Sequence, residues 1–196
     1  MSVLEIRVLG DPILRQETRV VEQVTDEHRR LIDDMFETMR AAKGIGLAAP
    51  QVGRTERIAV VDVLGGERGT VGGAGSQPIA LVNPEIIESS SDSDKSEEGC
   101  LSIPDVYGDV ERPSRVMVRA LDRNGQPFEM EAGELLARCF QHEIDHLHGK
   151  LFIDYLSVLK RRSALSKWSK TKDRYPGYVR KLTQEEVAEH HRDEEL

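Results

Sequence analysis

Apolar residues recur with helical spacing in two parts of the chain. The first run follows Thr25, Asp26 and Glu27, a combination of helix cap and acidic first turn. Its apolar positions predict a helix from residue 25 to about 42, and they are Leu31, Ile32, Met35, Phe36 and Met39. The second run predicts a helix that turns one apolar stripe toward a core and stops near Gly149. Its apolar positions are Leu136, Phe140, Ile144 and Leu147.

Short apolar runs bounded by turn residues predict strands at 57–64, 79–88, 114–122 and 126–131. The dipeptide Asn124-Gly125 separates the last two and is a strong hairpin signal. Strands followed by one buried helix favour an α+β fold, with antiparallel β-sheets packed around that helix. We expect an N-terminal helix and a C-terminal helix to complete it.

Two polar stretches interrupt this pattern. Residues 65–77 contain six glycines and are interpreted as a flexible surface loop without a function of its own. Residues 89–96 are interpreted as a second polar loop. No internal repeat and no second core is indicated, so one domain is expected.

Composition narrows the class of protein. With 196 residues, 38% of them hydrophobic and 32% charged, the chain can bury a core of its own. No apolar run approaches the roughly 20 residues of a membrane span. The first five residues lack the basic and apolar regions of a signal peptide, and only two cysteines are present. We therefore expect a cytoplasmic protein that binds neither membrane nor DNA, with reduced cysteines.

The C-terminal part is divided by charge. Residues 160–181 carry nine basic side chains against the single acidic Asp173, whereas the whole chain has a net charge of −8. Such a run is usually a solvated face, and contact with a nucleic acid is the alternative. The acidic end, residues 185–195, is expected to be disordered.

The second predicted helix carries the strongest chemical signal, the string from His142 to His146. Residues four apart share a helix face, so both imidazoles can bind one divalent ion while the adjacent Glu143 accepts a proton from water. Two histidines at this spacing also occur by chance on exposed helices. The apolar surroundings favour a real site.

A catalytic metal usually has three protein ligands, so one ligand is missing. Downstream candidates are His148, which points off the face, and His190 and His191, which lie in the charged tail. Upstream, Cys100 lies in a polar turn and a thiolate is a suitable ligand. The alternative is that Cys100 binds no metal and is simply a small buried residue, as most free cysteines are.

Three stretches together resemble the motifs of one family, the bacterial peptide deformylases. They are Gly-Ile-Gly-Leu-Ala-Ala-Pro-Gln at 44–51, Glu-Gly-Cys-Leu-Ser at 98–102 and Gln-His-Glu-Ile-Asp-His-Leu at 141–147. They occur in the family's order, and three motifs are far more specific than one. The resemblance covers residues 3 to 160. It implies a catalytic domain over 1–160 and a C-terminal extension over 161–196, basic then acidic and partly helical or disordered.

The resemblance also implies an activity, removal of the formyl group from the N-terminal formyl-methionine of new polypeptides with release of formate. Cys100, His142 and His146 would bind the metal, usually Fe(II) in the cell, with Zn, Ni or Co able to replace it. Glu143 would be general base and then acid. The side-chain amide of Gln51 and the backbone N–H of Leu101 would stabilise the oxyanion.

For the substrate, Gly44 and Gly46 would let the peptide backbone approach closely, although glycine pairs are also common in ordinary turns. The family binds its peptide there in extended form through main-chain hydrogen bonds. We place the methionine among Ile45, Leu101, Cys139 and His142, with Cys139 as pocket wall or core. Arg138 would cap the rim with its charge while its stem packs.

Two other functions remain open: a different metallopeptidase, which would cut unblocked peptide bonds, and a binding protein with a structural metal. The upstream cysteine argues against another metallopeptidase. A structural metal usually has four protein ligands, and only three good ligands can be named here. For the basic segment 160–181, the family suggests contact with the ribosome, as its C-terminal segment makes in some members.

Overall fold

The computed structural model describes residues 2–63 and 78–194. In these residues the strands are β1 (Ile6–Arg7), β2 (Gly46–Ala48), β3 (Ile58–Val61), β4 (Ile79–Ser89), β5 (Ser93–Cys100), β6 (Ile103–Pro113), β7 (Arg115–Leu121), β8 (Pro127–Gly133) and β9 (Val179–Arg180). The α-helices are α1 (Asp26–Ala41), α2 (Glu134–Leu147), α3 (Val158–Thr171) and α4 (Gln184–Glu194). None of these helices is long and apolar enough to cross a membrane.

Every strand pair is antiparallel. The largest sheet has the order β2-β3-β4-β7-β8, β5 pairs with β6 in a separate ribbon, and β1 pairs with β9. The predicted strands at 57–64, 79–88, 114–122 and 126–131 are confirmed as β3, β4, β7 and β8. Asp122 shapes the β7–β8 turn by accepting hydrogen bonds from the backbone N–H groups of Asn124 and Gln126, each at 2.8 Å.

Helix α2 is the buried helix that the pattern predicts. Phe140, Ile144 and Leu147 lie in one apolar cluster with β7 side chains such as Val116 and Val118, and Leu136 packs at the edge of this cluster. Gly149 follows the helix with a φ of 67°, the left-handed conformation that ends many helices. The α+β class, with antiparallel sheets around this helix, is confirmed.

Helix α1 covers a second core. Thr25 is its N-cap, and the backbone N–H of Thr25 donates to His28 Nδ1 at 3.0 Å. The side chains of Ile32, Met35 and Met39 are fully buried in a cluster with residues from β2 and β3. The prediction of a helix from Thr25 to about residue 42 is therefore confirmed.

The structure corrects two expectations about polar segments. The loop expected at 89–96 is wrong in its second half, because β5 begins at Ser93 and pairs with Pro113 of β6. The first residues of β5, Ser93 to Lys95, are all exposed, so β5 shows no alternation of apolar residues. The acidic end expected to be disordered forms α4 as far as Glu194. The glycine-rich stretch 65–77 lies outside the described residues.

Residues after 160 pack against the rest of the chain. Helix α3 buries Ala164 and Trp168 in a cluster with Val110 and Phe152, and β9 pairs with β1. The boundary at residue 160 stays a prediction.

Candidate metal centre

One sulfur and two ring nitrogens converge where α2 faces the end of β5. Cys100 Sγ lies 3.3 Å from His146 Nε2, which lies 3.2 Å from His142 Nε2. The three ligand atoms are all within 4.8 Å of one another. Helical spacing brings the two imidazoles together, and Cys100 lies beside them as the last residue of β5, directly after a register shift in the pairing with β6.

Of the other histidines considered as third ligand, His148 instead has its Nδ1 2.6 Å from Glu17. His190 and His191 lie on α4, where side chains are outside the described part of the structure.

Glu98 fixes the orientation of His142. His142 Nδ1 lies 3.0 Å from Glu98 Oε2, and a proton on Nδ1 leaves the lone pair of Nε2 for a metal. Arg112 and Arg138 donate to the same carboxylate at 2.6 Å and 2.7 Å. Burial raises the pKa of Glu98, but the hydrogen bonds from His142 and Arg112 outweigh burial and hold the pKa well below its usual range. Glu98 is therefore a carboxylate throughout the neutral range.

This buried network extends to a second residue of the motif. Arg112 donates to Asp145 at 2.8 Å, and the hydroxyl of Tyr155 donates to the other oxygen of Asp145 at 2.8 Å. The Arg112 guanidinium also lies over the Tyr155 ring, 4.7 Å from its centroid. Charge pairing thus connects α2 with β5 and β6.

Arg138 differs from its expected position. Its side chain lines the cavity but is only 8% exposed, and its guanidinium donates to Glu98 and to the Val110 carbonyl oxygen. The charge is therefore paired with Glu98 inside the protein, and the expectation of a charge on the rim is wrong. A substrate contact through its stem stays a prediction.

Glu143 lies beside the converging atoms in an apolar environment. It is 3% exposed, and its Oε2 has no hydrogen-bond partner among the described residues. Burial raises the pKa of Glu143 to about 7. A Cβ on Gly46 would lie 2.7 Å from the carboxyl carbon of Glu143, so glycine at this position makes room for the carboxyl group.

Gln51 is held on the other side of Cys100, in the 3₁₀ turn Ala49–Val52. Its Oε1 accepts from the backbone N–H of Ala48 at 2.8 Å. This bond turns Nε2 toward Ser102 Oγ at 3.2 Å and Cys100 Sγ at 3.5 Å. The side-chain amide therefore has a defined direction, with its donor end at the site.

A cavity of about 690 Å³ opens onto these groups. Among the residues that line it are Gly44, Ile45, Gly46, Gln51, Cys100, Leu101, Cys139, His142 and Glu143. Cys139 is 4% exposed, and burial raises the pKa of its thiol. His146 is 1% exposed and is not part of the lining. Every predicted site residue except His146 thus lines one cavity, and His146 lies behind the lining in contact with Cys100 and His142.

Sequence reasoning missed Glu98, Arg112, Asp145 and Ser102. Glu98, Asp145 and Ser102 lie inside the motifs, where a charged or polar residue in a buried segment is a usable signal. Arg112 lies on a strand that the pattern did not predict, and nothing local marks it.

An α+β fold with one cysteine, two histidines and a buried glutamate around a cleft defines the class of mononuclear metal hydrolases. The comparisons agree with this class. The family model for polypeptide deformylase matches residues 3–162. The peptide deformylase of Alkalilimnicola ehrlichii is 52% identical over 170 residues, which cover 87% of this chain and 91% of that protein.

Solved structures give the same result. The peptide deformylase of Legionella pneumophila is 45% identical, with a TM-score of 0.79 over 88% of this chain and 96% of that one. The peptide deformylase of Ehrlichia chaffeensis in complex with actinonin is 44% identical, with a TM-score of 0.79. The match covers 87% of this chain and 98% of that one. The chain belongs to the polypeptide deformylase family. It is a metal-dependent hydrolase that removes the N-formyl group from nascent peptides, as the three motifs predicted.

Proposed function

We propose that Cys100, His142 and His146 hold the catalytic ion, and that Glu143 transfers the proton during hydrolysis of the formyl group. The observation that carries the proposal is the convergence of Sγ and two Nε2 atoms within 4.8 Å, beside a buried carboxylate. A cation among these three atoms would satisfy all of them at once. One thiolate and two imidazoles suit a borderline divalent metal.

The metal we propose is Fe(II) in the cell, with Zn, Ni or Co able to take the same ligands. When bound, a divalent ion lowers the pKa of water toward about 7 and so supplies hydroxide near neutral pH. Oxygen should inactivate the iron form through oxidation of Fe(II) or of Cys100. Metal analysis and formate release, measured on anaerobically purified protein before and after aeration, test this. An iron-loaded enzyme that kept full activity after long aeration would contradict it.

Glu143 is suited to accept a proton from water and to deliver it to the departing amine. In the metal-free protein burial raises the pKa of Glu143, which favours a group that takes up a proton and releases it again near neutral pH. Its burial excludes bulk water from the transfer. Glu143→Ala should therefore lower turnover more than Gln51→Ala does.

The oxyanion would be stabilised by the side-chain amide of Gln51 and the backbone N–H of Leu101. The bond from Ala48 to Gln51 Oε1 supports this role, because it fixes the donor end before substrate binds. Leu101 follows Cys100 directly and lines the same cavity.

The peptide would lie along Gly44, Ile45 and Gly46 and form main-chain hydrogen bonds with them. Such bonds do not depend on which side chains follow the methionine. The methionine side chain would enter the space bordered by Ile45, Leu101, Cys139 and His142. Arg138 would contribute its apolar stem.

The proposal is tested by formate release from formyl-Met-Ala, measured beside cleavage of the same peptide without the formyl group. Release of formate without cleavage is expected, whereas cleavage of the unblocked peptide would indicate another metallopeptidase. Cys100→Ala should lose the metal. Cys139→Ala is the matched control and should keep it, because Cys139 Sγ is directed to the Ile45 carbonyl at 3.5 Å.

For the C-terminal extension we propose a contact with ribosomal RNA in the cytoplasm, where nascent chains are made. Helix α3 supports this, because Arg162, Lys167 and Lys170 are exposed while Ala164 and Trp168 anchor the opposite face. Reversing these three charges should leave the fold intact and weaken co-sedimentation with ribosomes. Co-sedimentation of the wild-type protein should fall steeply with salt. Unchanged co-sedimentation of the variant would refute the contact.

A further inference from the structure

The outer part of the cavity has a wall formed by residues that follow the family model. Tyr175, Arg180, Lys181 and Glu186 line the same cavity as Gly46 and Cys100. We call these four residues the C-terminal wall. The family model ends at residue 162, so the wall is built by a segment that lies beyond that model.

Three contacts hold the C-terminal wall in place. Arg180 lies in β9 and pairs with Ile6 of β1. The Tyr175 ring stacks on Trp168 with 5.7 Å between the centroids. Lys43, which also lines the cavity, lies with its Nζ 3.0 Å from Glu189 and so connects α4 to the end of α1. The wall is therefore anchored to β1, α3 and the end of α1.

The wall carries charge toward the cavity. Arg180 lies 3.0 Å from Glu186, whose other oxygen accepts from the backbone N–H of Thr183 at 2.7 Å, so Arg180 balances the charge of Glu186 and both carboxylate oxygens have a donor. The Lys181 side chain is 76% exposed, with its Nζ 3.0 Å from the partly exposed Glu5. Lys181 is the most exposed charged side chain of the wall, against 19% for Arg180 and 34% for Glu186.

Acidic groups border the cavity as well. Asp105 lies 3.5 Å from Arg174, and Glu97 is exposed at the end of β5. A test of Lys181 must therefore compare substrates within each variant, so that the effect of these acidic groups cancels.

We propose that the C-terminal wall contacts the nascent peptide beyond its second residue, and that Lys181 favours an acidic side chain there. This inference rests on the proposed function of the site. An extended peptide advances roughly 3.3 Å per residue, so residues after the second leave the metal centre and travel toward the outer cavity. The wall then adds a preference that main-chain pairing near Gly44 and Gly46 does not supply.

The test measures kcat/KM for formyl-Met-Ala-Ala-Ala-Ala peptides that carry Asp or Lys at the third, fourth or fifth position. Each value is divided by kcat/KM for formyl-Met-Ala with the same variant. Wild-type protein is compared with Lys181→Glu and with Lys170→Glu. Lys170 is an exposed lysine of α3 that does not line the cavity, so its reversal controls for net charge.

At one or more positions the ratio of Asp to Lys peptides should fall at least about threefold in Lys181→Glu, the size expected when an exposed charge pair is reversed. The fall should shrink in 0.5 M salt, where the screening length drops to about 4 Å. Lys170→Glu should keep the wild-type ratios. Equal ratios in wild-type and Lys181→Glu protein at all three positions would overturn the inference and leave the proposed function standing. Wild-type protein that released no formate from formyl-Met-Ala would overturn both.

Discussion

Gly46→Ala places one methyl group against the proposed proton carrier. The new Cβ would lie 2.7 Å from Glu143 Cδ and 2.8 Å from Cys139 Sγ, whereas carbon atoms in contact normally lie about 3.5 to 4.0 Å apart. Glu143 is buried on α2 and cannot swing into solvent, so its carboxyl group must retreat by roughly 1 Å. A displacement of that size in a catalytic group costs on the order of 100-fold in rate.

We therefore expect kcat for formate release to fall about 100-fold in Gly46→Ala, with the metal retained because the three proposed ligand atoms are not touched. Overpacking should also cost about 1 to 3 kcal/mol of stability, measurable by urea unfolding. Gly133→Ala is the control, since its Cβ would meet only Arg115 Cγ at 3.7 Å. A metal-loaded Gly46→Ala protein with wild-type kcat would refute the reasoning, because it would mean that the position of Glu143 does not matter.

Three further predictions follow from the site. Gln51→Ala should lower turnover about 100- to 1000-fold and keep the metal; near-normal turnover would remove Gln51 from the mechanism. Glu98→Gln should destabilise the protein by about 3 to 5 kcal/mol and weaken metal binding about 10- to 100-fold, because it leaves the Arg112 charge without its main partner. Chemical unfolding and metal titration measure these two effects. Glu97, the exposed neighbour of Glu98, provides the control, and Glu97→Gln should show neither effect. In metal-free protein, the Glu143 pKa is raised from 4.5 to about 7, so the folded state holds this proton more tightly and its stabilising effect is lost as pH rises through that range. Relative to Glu143→Gln, wild-type stability should fall by about 3 kcal/mol between pH 4.5 and 8 in chemical unfolding, and a constant difference would contradict the raised pKa.

The helices and the central sheet could be predicted because one of their faces is buried. Helix α2 shows this best, since Phe140, Ile144 and Leu147 mark its core face while His142 and His146 mark the face of the site. Strand β3 is a short apolar run because all four of its residues are buried. Local periodicity reports burial, and α2 and β3 are buried over most of their length.

The β5–β6 ribbon and the buried charges could not be predicted in this way. The outer part of β5 is exposed on both faces, so no alternation marks it. Glu98 meets Arg112 and Arg138 only after β5, β6 and α2 have packed, and such pairing leaves no local pattern in the sequence. The link between Cys100 and the two histidines likewise came from the resemblance to a family and not from spacing.

The pairing of β1 with β9 has a consequence for how this protein is made. Ile6 leaves the ribosome early and Arg180 late, and the two-residue strands bond to each other only when both have emerged. The central sheet and α2 can form before that moment, so the metal centre can assemble first and the outer end of the cleft last. An enzyme that acts on chains still in synthesis would thus complete its own substrate channel as one of its final folding steps.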